Sequence, residues 1–154
     1  MKQILIAGDR SGSGKTSITL ALSALLAKEN RVQTFKVGMD YIDPSYLTGV
    51  SGRSCRNLDS YVMGEDQMRL IFNHACAGAD LALIEGVRGL YEGAEALDGT
   101  GSSASVAACL DIPVALVINA RSITRSAAIA SVMLVFPLPE RSPAIINAFM
   151  PCSG

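Results

Sequence analysis

Apolar residues fall along this chain in short blocks that alternate with stretches of helical spacing. Residues 3–7 (QILIA) form a brief apolar run closed by Gly8, the pattern of a buried strand. Residues 9–14 are polar and glycine-rich and read as a loop. From position 15 to about 28, Ile18, Leu22, Leu25 and Leu26 recur at the spacing of one helix face, and Asn30 and Arg31 end that helix. Residues 32–37 give the next strand. Residues 38–60, with Pro44 and three glycines, read as loop. A helix is predicted over 65–76, a strand over 81–84 ending at Glu85 and Gly86, and an irregular glycine-rich stretch over 86–103. A short helix over 103–110, a strand over 113–118 and a helix from 124 to about 135 complete the pattern. Strands alternating with helices predict an α/β fold: a mostly parallel sheet with helices on both faces.

The C-terminal end breaks this rhythm. From Phe136 onward there are four prolines, and only Glu140 and Arg141 carry charge. One apolar run over 144–150 has strand character but holds Asn147 and precedes Pro151. The alternation therefore predicts a domain over 1–130 and a divergent tail over 131–154, the mark of a truncated or frame-shifted product.

Composition narrows the class. The chain has 154 residues, 49% hydrophobic and 18% charged, which suits one domain with a buried core. A net charge of −1 argues against a strongly basic nucleic-acid binder. No apolar run is long enough to span a bilayer, so no membrane partner is expected. The four cysteines form no CxxC pair; they read as free thiols of a reducing, cytoplasmic compartment.

The most informative segment is Gly12-Ser13-Gly14-Lys15-Thr16, set between a predicted strand and a predicted helix. This is the context of a P-loop. Glycines let backbone N–H groups face a phosphate, and the helix N-terminus favours an anion. Lys15 supplies a charge for the terminal phosphates of ATP, and Thr16 an oxygen for Mg²⁺. The nucleotide-binding set is therefore Arg10, Ser11, Gly12, Ser13, Gly14, Lys15, Thr16 and Ser17. The spacing is a variant: the usual first glycine falls on Asp9, and Gly8 stands one place early. Ser17 occupies the position of the third glycine of a dinucleotide fingerprint, which excludes that reading. Arg10 stands where one branch of P-loop ATPases carries a second lysine that reaches across a dimer. It reads either as that contact, in a homodimer, or as a solvated loop arginine.

A Mg-nucleotide needs carboxylates. Asp40 and Asp43 lie three apart just beyond the second strand, and Glu85 closes the strand over 81–84. All three belong to the strand ends where open α/β sheets bind ligands. Asp40 and Asp43 are also compatible with turn chemistry before Pro44. Arg53, Arg56, Asn57 and Asp59 form a polar cluster suited to an acidic substrate or to a solvated loop. His74 stands alone on a predicted helix, so no histidine-based triad is supported.

Together these stretches resemble the cobyrinate a,c-diamide synthase family, including its methanogen branch of Ni-sirohydrochlorin a,c-diamide synthases of coenzyme F430 synthesis. The pieces that carry the resemblance are S-G-S-G-K-T at 11–16, K-V-G-M-D-Y-I-D-P at 36–44 and R-N-L-D at 56–59. They continue with E-G-V at 85–87, G-L-Y at 89–91, N-A-R at 119–121 and R-S-A-A at 125–128. Arg88 and Glu92 depart from the commoner Met and Asp of the cobalamin branch and tilt towards the methanogen branch. The resemblance implies a P-loop NTPase fold and an ATP- and glutamine-dependent C–N ligase that amidates two carboxylates of a tetrapyrrole through an acyl phosphate. It implies Thr16, Asp40 and Glu85 as holders of Mg²⁺, Asp43 at the acyl-phosphate step, and Lys15, Asp40, Asp43 and Glu85 as the catalytic set. Tyr41, Tyr46 and Tyr91 would face the macrocycle or the core. The ammonia of such enzymes comes from glutamine through a C-terminal glutaminase domain, which this sequence does not include. Two other readings share the P-loop: a MinD/ParA-like ATPase switch and a dethiobiotin-synthetase-like carboxylate-activating ligase.

Overall fold

A computed structural model describes residues 1–94, 99–119 and the strand over 131–136. Six strands form one sheet: β1 (Lys2–Gly8), β2 (Val32–Val37), β3 (Arg56–Leu58), β4 (Leu81–Glu85), β5 (Val114–Asn119) and β6 (Ser131–Phe136). Four helices accompany them: α1 (Lys15–Leu26), α2 (Ile42–Ser51), α3 (Ser60–Ala75) and α4 (Ser103–Leu110). The strand order is β3-β2-β4-β1-β5-β6, with β1 to β5 parallel and β6 antiparallel to β5. The expected α/β architecture with a mostly parallel sheet is therefore present.

Each face of the sheet has its own core. On one face, Ile18, Leu22 and Leu26 of α1 pack against Ile6, Val32, Leu83, Ala115 and Val117. These three lie four residues apart, one stripe of a helix; Leu25, expected among them, is 61% exposed because it falls outside that stripe. On the other face, Met68 and Phe72 of α3 and Val106, Ala107 and Leu110 of α4 cover Leu5, Phe35, Ile84 and Val114. Phe35 and Phe72 meet with ring centroids 4.9 Å apart. Each such fully buried side chain contributes on the order of 1.5–3 kcal/mol relative to exposure. Among the described residues no helix is long and apolar enough to cross a membrane.

Three local expectations are corrected. Residues 42–51 and 56–58, read as loop, form α2 and β3. Pro44 is compatible with α2 because it lies in the first turn, where its missing N–H has no intrahelical partner in any case. The helix expected from 124 to 135 is replaced, at its end, by β6: after Ser131 the run V-M-L-V-F is apolar, and the strand's backbone hydrogen-bonds along the free edge of β5 from Asn119↔Ser131 to Val114↔Phe136. Residues 120–130 and the possible strand over 144–150 lie outside the described residues. The helix predicted to start at 65 begins at Ser60, but Gly64 (φ 73°, ψ 164°) interrupts it, so regular helix resumes where the periodicity placed it.

Candidate active site

Parallel pairing sends the C-terminal ends of β1, β2 and β4 to the same edge. Register then does the rest. Glu85, the last residue of β4, lies between Ile6 of β1 and Lys36 of β2. Beyond β1 the chain turns through the loop 9–14 into α1. Gly8 makes that turn possible: a Cβ there would fall on Ser13 Oγ and 2.9 Å from the Arg10 carbonyl oxygen. Gly12 (φ 75°) and Gly14 (φ 98°) adopt left-handed backbone that other residues resist. Gly14 caps α1 without a side-chain hydrogen bond, so the first N–H groups of a 12-residue helix face the loop's hollow. Lys15 and Ser13 are buried in that hollow, and the Ser13 hydroxyl has no partner. Asp9, at the usual first-glycine position, pairs with Arg10 Nε at 2.9 Å and accepts from the Asn119 N–H at 3.4 Å.

The loop's Thr16 hydroxyl donates to Glu85 Oε1 at 2.6 Å and lies 3.5 Å from Asp43 Oδ2. Lys36 joins the same group. Its ammonium contacts Asp43 Oδ2 at 2.8 Å and Glu85 Oε1 at 2.9 Å, and donates to the Gly86 carbonyl at 3.2 Å. Asp40 stands farther off. Its Oδ2 is 4.0 Å from Lys36 Nζ, while Oδ1 accepts from the Ile42 and Asp43 N–H groups and starts α2. Of the four expected carboxylate and lysine groups, Asp43 and Glu85 therefore meet Thr16 directly. Asp40 borders them, and Lys15 lies close enough to feel both carboxylates.

The electrostatics follow from burial and charge. Burial pushes the Glu85 carboxyl above its ordinary range, against the pull of Lys36 and the Thr16 hydroxyl. Burial also opposes ionisation of Asp43, but its hydrogen bond and attraction to Lys36 prevail and hold it below the usual value. Burial disfavours the Lys36 ammonium, yet Asp43 and Glu85 raise it overall. Lys15 is lowered by burial and by repulsion from Lys36. Two lysine and two carboxyl side chains thus share a partly dry cleft.

With the phosphate loop and its acidic partners placed, the chain can be set against known proteins. The profile of the family described as "CobQ/CobB/MinD/ParA nucleotide binding domain" matches residues 4–135. The chain belongs to this family. It is 57% identical over 130 residues to the cobyrinate a,c-diamide synthase of Methanosarcina acetivorans, covering 82% of this chain and 26% of that protein. The corresponding figures are 58%, 82% and 26% for the enzyme of that name in Methanosarcina barkeri. For that of Methanocaldococcus jannaschii, 50% identity extends over 127 residues, 82% of this chain and 29% of that protein. The chain thus spans between a quarter and a third of the length of these curated relatives. The sequence resemblance is shown, and with it the P-loop α/β class.

Within this CobQ/CobB/MinD/ParA-family domain the polar cluster at 53–59 has structural work. Asn57 Nδ2 donates to the carbonyls of Gly38 and Asp40, both at 2.9 Å, and so braces the loop that carries the acidic residues. Asp59 caps α3 by accepting from the Tyr61 and Val62 N–H groups. Arg53 reaches Gln33 and the carbonyls of Ala75 and Ala77, tying the end of α3 to β2. Arg56 and His74 border a surface groove at the β3 edge, away from the phosphate loop. Tyr41 is 84% exposed and Tyr46 and Tyr91 are about half exposed, so all three face solvent and not the core.

Sequence reasoning assigned no role to Lys36. A signal was available: a lysine inside an otherwise apolar central parallel strand must meet a counter-charge, because both faces of that strand are covered.

Mg²⁺ takes few protein oxygens and completes its shell with water and phosphate. Thr16, Asp43 and Glu85 fit that demand, and Glu85 Oε2 is buried without a hydrogen-bond partner. Among the described residues no group of three or more His, Cys, Asp or Glu is assembled as a metal cage.

Proposed function

We propose that this domain is the ATP-binding, carboxylate-activating part of a ligase that amidates acetate side chains of a tetrapyrrole, cobyrinate or a Ni-sirohydrochlorin. The observation that carries the reading is the direct link from the phosphate loop to the D-Y-I-D-P segment: Thr16 meets both Glu85 and Asp43, and Lys36 bridges the two carboxylates. A carboxylate resists attack by ammonia because its leaving group is poor. Transfer of the terminal phosphoryl group of ATP to it creates an acyl phosphate and supplies the leaving group. Ammonia, drawn from glutamine by a glutaminase unit, then forms the amide and releases phosphate.

The residues serve this sequence in distinct ways. The loop N–H groups and Lys15 hold the nucleotide phosphates and offset charge on the transferred group. Thr16, Asp43 and Glu85 would hold Mg²⁺, which would offset the negative charge of the nucleotide phosphates. Lys36, at the same edge, is positioned to attract both the transferred phosphoryl group and the accepting carboxylate. In the segment that follows it, Met39, Tyr41, Ile42 and Tyr46 are exposed apolar and aromatic side chains, suited to the flat face of a macrocycle. The names of the relatives support the substrate class.

Two measurements test the reading. Calorimetric titration with Mg-ATP should show saturable binding that Lys15→Ala weakens by about a hundredfold or more, since a buried charge-assisted contact is lost. Adding cobyrinate and ammonium chloride should raise ADP release and yield amidated product by mass spectrometry. ATP hydrolysis that ignores cobyrinate and rises with DNA or lipid vesicles would instead identify a switch ATPase of the MinD/ParA kind.

A further inference from the structure

Arg88 is the one described non-glycine residue beside this site with left-handed backbone. It adopts φ 45°, left-handed backbone that non-glycine residues avoid, although glycines flank the segment at 86 and 89. The strain is imposed from both sides. Gly86 N–H donates to the Ile6 carbonyl and Leu90 N–H to the Gly8 carbonyl, each at 2.8 Å. Ser103 Oγ holds Val87 by accepting its N–H at 2.9 Å and donating to its carbonyl at 3.1 Å. Gly89 is pressed against the phosphate loop, where an added Cβ would lie 3.1 Å from the Asp9 carbonyl oxygen. Between these anchors the segment presents Arg88 outward.

The side chain is exposed, and among the described residues its guanidinium has no hydrogen-bond or ion-pair partner. It borders a cavity of about 200 Å³ lined also by Met39, Asp59, Val87, Glu92 and Gly101. No residue of the phosphate loop lines this cavity, so an anion held there is not the nucleotide's phosphate. The cavity is too small for a macrocycle and suits one of its side chains. Asp59 has its carboxylate engaged in capping α3, and Glu92 Oε1 lies against Gly89. Among the described residues, the guanidinium is the only cationic group on the lining.

We propose that Arg88 is a specificity-determining residue that grips a carboxylate of the substrate other than the one being phosphorylated, and so sets which side chain reaches Lys36. This rests on the polycarboxylate substrate of the proposed function. A planar guanidinium with two parallel donors matches a carboxylate in a way that a neutral side chain cannot. Rigid presentation from a doubly anchored turn limits the entropy lost on binding.

The test uses the full chain with cobyrinate as the probe, followed by its visible absorbance, and Mg-ATP followed by calorimetry. Arg88→Met should weaken cobyrinate binding by about ten- to a hundredfold, the range of a lost charge-assisted contact, and leave Mg-ATP binding within about twofold. Arg88→Lys should fall between, because it keeps the charge and loses the fork. Arg88→Gly should bind cobyrinate as poorly as the Met variant yet melt at or above the wild-type temperature, because glycine adopts φ 45° freely. Unchanged cobyrinate binding in the Met or Gly variant overturns the proposal and leaves the proposed function standing. An equal loss of Mg-ATP affinity, or a lowered melting temperature of the Gly variant, overturns it in favour of a nucleotide or structural role. Mg-ATP binding without any cobyrinate binding by the wild type overturns the substrate reading, and this proposal with it.

Discussion

At the scale of single residues, the site is an exercise in compensating buried charge. Glu85 is fully buried and Lys36 is 4% exposed. Neither would persist as an ion alone in such surroundings; each is there because the other is. Removing one partner leaves the other stranded. Lys36→Met should therefore lower stability by about 3 kcal/mol, read by thermal or urea unfolding. Millimolar Mg²⁺ should restore part of that loss in the variant and do less for the wild type, because the divalent ion can take the place of the missing ammonium between Asp43 and Glu85. A variant as stable as the wild type would show that Lys36 does not neutralise the pair. Gly8 makes the complementary point: its missing Cβ is the room into which Ser13 folds.

At the scale of elements, the informative features are turns and interruptions. The loop after β2 is held by Asn57 from β3 and started into α2 by Asp40, so three separate pieces of sequence cooperate to aim Asp43. In α3, Gly64 adopts φ 73° and ψ 164°, a region essentially reserved for glycine. The first turn, capped by Asp59, is thereby set at an angle to the amphipathic part that carries Met68 and Phe72 into the core. Gly64→Ala should destabilise the domain by about 1–3 kcal/mol, although alanine is normally the better helix former. A stabilised variant in a denaturation experiment would mean that α3 is free to straighten. The antiparallel β6 was missed because an apolar run next to a helical pattern does not declare its period.

At the scale of the whole molecule, several groups respond to alkaline pH in the same direction. Burial pushes Cys55 and Cys76 each up to about 11, and raises Cys109 and Tyr91 as well. Lys36 is also raised, burial being outweighed by its carboxylate partners. A group with a raised folded-state value holds its proton longer in the folded chain than in the unfolded one. Its stabilisation is complete below the unfolded value and is lost as pH rises through the folded one. Lys15 is lowered and opposes this trend alone. Stability should therefore decline from about pH 8.5, the ordinary thiol value, towards pH 11. Chemical denaturation across that range checks it, and peptide-resolved alkylation gives a second reading. At pH 8, Cys55 and Cys76 should react about a hundredfold more slowly than in the unfolded chain, because so little thiolate is present. At the acid end, the hydrogen bonds from Arg31 hold the Asp80 carboxyl far below its ordinary range. That pair ties the start of β2 to the start of β4, opposite the active edge. Its contribution is present above about pH 4 and lost as pH falls.

The class of fold and the phosphate loop were legible along the chain, and so was a set of candidate acidic residues, because each rests on local chemistry. Period-two and helical patterns, glycines before a lysine, and a carboxylate closing an apolar run are properties of neighbours along the chain. The sequence also carried enough specific segments, D-Y-I-D-P and E-G-V among them, to reveal its kin. Which of those residues meet is a matter of three-dimensional packing. Whether Asp40 or Asp43 faces Thr16 depends on where α2 begins, and that is fixed by Asn57, a residue more than a dozen positions away. Lys36 became part of the site through strand register, which sets it beside Glu85 across 49 positions of sequence. The strain at Arg88 arises from anchors on β1 and α4 that no local pattern records. Register, edge pairing and strain are relations between distant segments, fixed by the packing of the sheet as a whole.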